Sequence, residues 1–278
     1  MIDSLFQHVK EQLRGAAGDA TSHGYVLLGY SYGGLLALEA AARLEAEGVG
    51  TEGMGRLVLL DSAPDLLRAM VAILVAASKR PEQDEEKEKA VSNEEASEKE
   101  SVEEEVVQLE LLTHVMQTMA PEMSPMEMKK LREDLLAKKC WDSRLRFFAK
   151  HSLDTGHSLE YKMVALNAIY SRLISAWRYS WPKDRPRLQA SVTLIRPATS
   201  AIPPGIITED GGLSQLCEQP VSVHYVEGAD HYTLPSKRQT AALVNAALEA
   251  AHKDLGSDFK ANINSPDANS YHGLKSLL

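Results

Sequence analysis

Ser31, Asp61 and His231 are the residues of this chain whose types, order and flanking sequence fit nucleophilic acyl transfer. A serine hydroxyl is a poor nucleophile at neutral pH. It needs a base within hydrogen-bond reach, and that base needs a carboxylate to fix its tautomer. Ser31 is the centre of Gly29-Tyr30-Ser31-Tyr32-Gly33, a G-x-S-x-G pattern set between an apolar run and a helical run. In that setting the pattern reads as a sharp strand-to-helix turn that exposes the serine hydroxyl. Gly29 and Gly33 are expected to let strand and helix approach closely. The Tyr32 amide is expected to face a developing oxyanion at the positive end of the following helix. The pattern alone also fits a glycine-rich turn whose serine only caps a helix.

Parallel sheets gather distant residues at the carboxyl ends of their strands. The acid and the base are therefore sought just past apolar strands. Asp61 directly follows Leu57-Val58-Leu59-Leu60, and His231 lies a few residues beyond Val221–Val226. Serine, acid, histidine is one of the chain orders in which such sites occur. Glu209, Asp210 and Asp65 stand as rival acids, the first two following the run at 191–195 across a long loop. Asp230 adjoins His231 and is badly placed to orient its ring. No HExxH, CxxC or P-loop pattern occurs, so neither a metal nor a nucleotide cofactor is expected.

The elements that must position these residues follow from periodicity. Residues 2–15 carry a helical stripe of Ile2, Leu5, Phe6, Val9 and Leu13, with Asp3 or Ser4 as a candidate cap. Val26-Leu27-Leu28 is continuous enough for a strand covered on both faces. Leu35, Leu36, Leu38, Ala41, Ala42 and Leu44 recur at helical spacing. Arg56–Asp61 is a second strand, so the order is strand, helix, parallel strand. Strands resume at 191–195 and 221–226, and a helix is predicted over 235–252.

Between them, 65–178 reads as a helical insertion, with 1–64 and 179–255 as the sheet-bearing core. Within the insertion, 80–100 is dominated by Glu and Lys and is expected to be disordered. Residues 256–278 are expected to form a loose tail. An apolar lid would offer a groove for a long acyl chain, lined by Leu66, Met70, Leu74, Met163, Leu166 and Tyr170. Each buried methylene is worth about 0.8 kcal/mol, so chain length would be discriminated steeply. The bland alternative is that these residues pack the insertion.

Composition narrows the function classes. The chain of 278 residues has a formal charge of −9, from 39 acidic and 30 basic residues, which argues against a general nucleic-acid surface. Lys129, Lys130, Arg132, Lys138 and Lys139 form either a small docking patch or a solvated helix face. Two cysteines, Cys140 and Cys217, suggest no disulfide framework, so a reducing, cytoplasmic setting is the expectation. The amino terminus lacks an apolar signal core, and no run reaches membrane-spanning length.

Three separated segments resemble one family. GYSYGGLLALEAAARL at 29–44, LVLLDSAPDLL at 57–67 and LSQLCEQPVSVHYVEGADHYTL at 213–234 are similar to the thioesterase domain at the carboxyl end of animal fatty acid synthases. A more distant likeness extends to thioesterases of polyketide and nonribosomal peptide synthases. The resemblance implies an α/β-hydrolase fold with a mostly parallel sheet and a helical lid. It implies Ser31 as nucleophile, Asp61 as acid, His231 as base and the Tyr32 amide in the oxyanion hole. It also implies release of a long-chain fatty acid from the phosphopantetheine arm of an acyl carrier protein, with no dissociable cofactor. The departure is at the front: the family has strands before the nucleophile turn, and one of their loops gives a second oxyanion donor. Those strands are expected to be missing here. The alternatives are a carboxylesterase or lipase acting on oxygen esters, and a non-catalytic remnant.

Overall fold

The computed structural model describes residues 2–17, 24–50, 55–76, 93–151, 156–200, 202–203 and 205–255. In chain order the elements are α1 (Ile2–Ala17), β1 (Tyr25–Tyr30), α2 (Tyr32–Ala46), β2 (Gly55–Leu60), α3 (Pro64–Ala76), α4 (Asn93–Met119), α5 (Pro125–Leu136), α6 (Trp141–His151), α7 (Leu159–Trp177), β3 (Ser191–Pro197), β4 (Ser222–Val226) and α8 (Arg238–Leu255). They divide into two compact units. Residues up to Leu66 and from Ser180 onward make the first, and Leu67–Tyr179 make the second.

The first unit is an α/β fold. Its strands lie in the order β1-β2-β3-β4 and every pair is parallel. Parallel neighbours need a crossover, and α2 supplies the one between β1 and β2. β2 is apolar at successive positions because both of its faces are covered. Val58 and Leu60 join Ile195, Val226, Ala229 and Leu234 in one cluster, packed by Leu243, Val244 and Ala247 of α8. By alternation Leu57 and Leu59 face the other way, and both are fully buried. That is the side on which α2 buries Leu35, Leu38, Ala41 and Leu44.

β1 departs from expectation. Leu28 is half exposed, although the run 26–28 was expected to be covered on both faces. β1 is the edge of the sheet among the described residues, pairing only with β2 there, so its outer side chains meet less cover. Near the opposite end of β1 the buried Tyr25 ring packs on Gly50 and Gly55. Its hydroxyl donates to Glu45, whose carboxylate also accepts from the amides of Gln189 and Ala190 at 2.9 and 2.8 Å. In α1, Asp3 does not cap the helix. It pairs with Arg43 at 2.6 Å, while Arg43 and Lys10 lie over the ring of the buried Phe6.

The second unit is helical. Leu109, Leu112, Met116, Leu135, Leu145, Phe148 and Leu166 form its core, drawn from α4, α5, α6 and α7. Threaded through it is Arg144, almost fully buried. It donates to the Leu135 carbonyl at 3.2 Å and to Gln108 at 2.8 Å, and it pairs with Glu105. A buried guanidinium is tolerable only with such partners. Ser124 and Glu127 close a capping box at the start of α5, with Pro125 in its first turn. The acidic stretch 80–100 splits. Residues 93–100 fall in the first turns of α4, while 80–92 lie outside the described residues. Alternating Glu and Lys are good helix formers, so low apolarity did not prevent a helix. The tail 256–278 also lies outside them. No helix among the described residues is long and apolar enough to cross a membrane.

Candidate active site

The sheet brings Ser31 and Asp61 to one rim by register. Tyr30 pairs with Leu60 and Leu60 with Ile195, so the next residue of each strand emerges at the same level. The ladder runs one step further. The Ser31 amide donates to the Leu60 carbonyl at 3.0 Å, and the Asp61 amide donates to the Ile195 carbonyl at 2.7 Å. Both residues then leave the strand with a positive φ, 53° at Ser31 and 42° at Asp61. Among the described residues no other non-glycine does so. Such backbone costs on the order of 1–3 kcal/mol and concentrates at functional positions.

His231 reaches the same rim from the loop after β4. Its Nδ1 lies 2.8 Å from Asp61 Oδ2 and its Nε2 lies 3.0 Å from Ser31 Oγ. With the ring proton on Nδ1 donated to the carboxylate, Nε2 is left to accept the serine proton. The imidazole and the carboxylate are both mostly buried, at 18 % and 11 % side-chain exposure, which limits competition from water for the pair. The loop is tied internally. Asp230 accepts from the amide and the hydroxyl of Thr233, both at 2.8 Å, and the Asp230 carbonyl accepts from the Leu234 amide at 3.0 Å. The bonds from Thr233, its backbone amide first and then its hydroxyl, hold the Asp230 carboxyl below its ordinary range.

Of the rival acids, the Asp210 carboxylate is engaged elsewhere. Asp210 accepts from Thr208 Oγ1 at 2.6 Å and from the amides of Ser214 and Gly212 at 2.7 and 3.2 Å, closing its own loop. Burial pushes its pKa up, but these bonds outweigh burial and leave it lowered. The Glu209 carbonyl accepts from Arg196, and the Asp65 amide donates to the Gly211 carbonyl at 3.1 Å.

The turn around Ser31 is as tight as expected, but by a different glycine pair. A Cβ at Gly29 would fall 2.5 Å from Gly34 Cα and 2.6 Å from the Gly33 carbonyl oxygen. A Cβ at Gly34 would fall 2.0 Å from Ser62 Oγ, and that hydroxyl donates to the Ser31 carbonyl. A Cβ at Gly33 meets no described atom within 4 Å. Close approach is thus made at Gly29 and Gly34, one residue later than the pattern suggests, because Gly34 is the first helical residue turned toward Ser62. Tyr32 is the first residue of α2, where a helix leaves its amide without an intrahelical acceptor.

The residues expected along an acyl chain are scattered in role. In the first unit, Leu66 is buried beside Gly211. In the second unit, Leu166 belongs to the helical core, and the Tyr170 hydroxyl accepts from Gln108 at 3.0 Å while its ring lies 4.4 Å from that of Trp141. Met70 is half-buried on α3, and the side chain of Leu74 lies outside the described residues. Met163 borders an open surface depression of about 400 Å³ with Arg146, Leu159, Glu160 and Val164. In the basic cluster, Arg132 pairs with Glu110, Lys129 approaches Glu133 at 3.9 Å and Lys138 lies over the Phe147 ring.

Sequence reasoning missed three residues around the site: Tyr30, Ser62 and Gly34. Each adjoins a residue singled out for chemistry, and that adjacency was the available signal. Tyr30 donates to the His231 carbonyl at 2.7 Å and stacks on its ring. Burial, and next the Asp61 charge, raise the Tyr30 pKa and keep the phenol protonated as a donor.

Solved structures similar to this chain include RedJ, a thioesterase from the prodiginine biosynthetic pathway in Streptomyces coelicolor, solved with a PEG molecule in its active site. That match has 18% identity over 91% of this chain and 73% of that one, with a TM-score of 0.44. The type II thioesterase BorB from the borrelidin biosynthetic cluster has 16% identity, over 89% and 70%, with a TM-score of 0.42. ClbQ from the colibactin NRPS/PKS pathway has 13% identity, over 92% and 77%, with a TM-score of 0.45. The family model described as thioesterase domain matches residues 1–249, nearly the whole chain, and the chain belongs to that family.

Proposed function

We propose that this chain is a serine hydrolase that cleaves acyl thioesters through an acyl-serine intermediate. The observation that carries the reading is the unbroken pair of hydrogen bonds from Ser31 through His231 to Asp61. Ser31 Oγ attacks the thioester carbonyl as its proton passes to His231 Nε2. Asp61 holds the imidazole tautomer and stabilises the imidazolium that forms. The Tyr32 amide donates to the oxyanion, a contact worth about 3–4 kcal/mol in sites of this kind. When the tetrahedral adduct collapses, the C–S bond breaks and the leaving sulfur takes the proton from Nε2. Water then attacks the acyl-serine, giving its proton to His231, and the free acid leaves with Ser31 restored.

The proposed substrate is a long-chain fatty acyl group on the phosphopantetheine arm of an acyl carrier protein. Family membership supports the thioester bond. The segments at 29–44, 57–67 and 213–234, which resemble animal fatty acid synthase thioesterases, support the long chain and the carrier. The test is turnover of a long-chain acyl thioester against the matching oxygen ester, with Ser31→Ala and His231→Ala alongside. The reading expects thioester preference and loss of turnover in both variants. A strong ester preference would move the protein to the carboxylesterases, and unchanged turnover in Ser31→Ala would remove the mechanism.

A further inference from the structure

His231 is held in place 200 residues along the chain from Ser31, on a loop rather than a strand. Its ring bonds fix two nitrogens, but they do not fix the backbone that carries the ring. Tyr30 acts on that backbone. Its hydroxyl donates to the His231 carbonyl oxygen at 2.7 Å. Its ring lies against the imidazole, with centroids 5.1 Å apart and planes 28° from parallel. Tyr30 is the last residue of β1 and packs on the cluster of Val58, Leu60, Ile195 and Val226, so it is itself anchored in the core.

We propose that Tyr30 is a positioning residue that fixes the base to the same strand end that presents the nucleophile. The role rests on the hydrolase reading above. Because Tyr30 and Ser31 are consecutive, one rigid strand terminus sets both partners of the 3.0 Å Oγ to Nε2 contact. That contact must survive two proton transfers per turnover, and small misplacement in such geometry costs heavily in rate. The carbonyl bond limits drift of the loop, and the phenol face limits tilt of the imidazole. The same face favours the imidazolium that forms during attack, through the ring quadrupole.

The test compares Tyr30→Phe, which removes only the hydroxyl, with Tyr30→Leu, which also removes the aromatic face. Three quantities are read: kcat and KM on a long-chain acyl thioester, the rate of Ser31 phosphonylation by an alkyl fluorophosphonate, and the melting temperature. Losing one hydrogen bond of ordinary net strength should slow kcat and phosphonylation about tenfold in Tyr30→Phe, with KM unchanged and the melting temperature lowered by only a few degrees. Tyr30→Leu should lose about a hundredfold, of which Phe at the position recovers about tenfold. Wild-type rates in Tyr30→Phe, a change confined to KM, or no recovery from Leu to Phe would overturn the proposal. Ser31→Ala separates the two readings. If the wild type is not labelled, or Ser31→Ala is labelled equally, the hydrolase reading falls and the Tyr30 role with it. If labelling needs Ser31 but ignores Tyr30→Phe, the positioning role alone falls.

Discussion

Alanine placed at successive glycines of the Ser31 turn should have opposite consequences one residue apart. At Gly34 the new Cβ would lie 2.0 Å from Ser62 Oγ and 2.4 Å from Ser62 Cβ. That is more than 1 Å inside optimal carbon separation, about 3.5–4.0 Å, so Ser62 or the start of α2 must move. Overpacking of this kind costs about 1–3 kcal/mol. The strain also falls on the Ser62 hydroxyl that holds the Ser31 carbonyl, and so on the proposed nucleophile. A shift of about 1 Å there is expected to slow chemistry about a hundredfold. Gly33→Ala differs. No described atom lies within 4 Å of its Cβ, and Gly33 is helical with no positive φ. Alanine there restricts the unfolded chain and should be neutral or stabilising by up to about 1 kcal/mol. The assay is chemical denaturation together with fluorophosphonate labelling of Ser31. Equal damage from both variants, or harmless Gly34→Ala, would refute the assignment of close approach to Gly34.

Asp61→Asn keeps the shape but removes the carboxylate from His231 Nδ1, so turnover should fall by several orders of magnitude with melting temperature little changed; Asp210→Ala should keep turnover and lower the melting temperature. The folded pKa of Asp210 is lowered from 3.8, so its stabilisation is present above that value and disappears as pH falls through the lower folded value; the acid limb of a melting-temperature titration should flatten in Asp210→Ala. Tyr25 has the opposite sign. Burial first, then Glu45, raise its pKa above 10.0, so its contribution is complete below pH 10 and declines as pH rises beyond it; Tyr25→Phe should weaken the alkaline loss of melting temperature. In a thiol titration, the exposed Cys140, its pKa lowered by hydrogen bonding with Ser143, should react in the native protein. The buried Cys217, its thiol pushed up to about 12 by burial, should react only on unfolding.

The linear chain specified the local elements and the residue types at their ends. Hydrophobic period separated the strands at β2, β3 and β4 from the helices at α2 and α7, because burial on two faces and burial on one stripe leave different spacings. The turn at Ser31 was legible because strand, glycine, serine and helix follow one another within ten residues. Asp61 and His231 were legible only as residues standing just past strands.

Relations between distant segments were not legible, because they depend on register and side-chain direction. Asp61, Asp210 and Glu209 all follow strands in sequence. It is the β2-β3-β4 register that carries Asp61 to the rim where the His231 loop emerges, and local amides that hold Asp210 in its own loop. Leu28 was apolar enough for a covered strand, yet strand order leaves it half exposed at the edge of the sheet among the described residues. Leu166 and Tyr170 have the apolar character of a chain-binding groove, and within the helical unit Leu166 packs in the core while Tyr170 accepts from Gln108. Periodicity states which face of an element is apolar. What that face meets is decided by how the elements stack, and the contact between Tyr30 and His231 exists only once four parallel strands have set both at one rim.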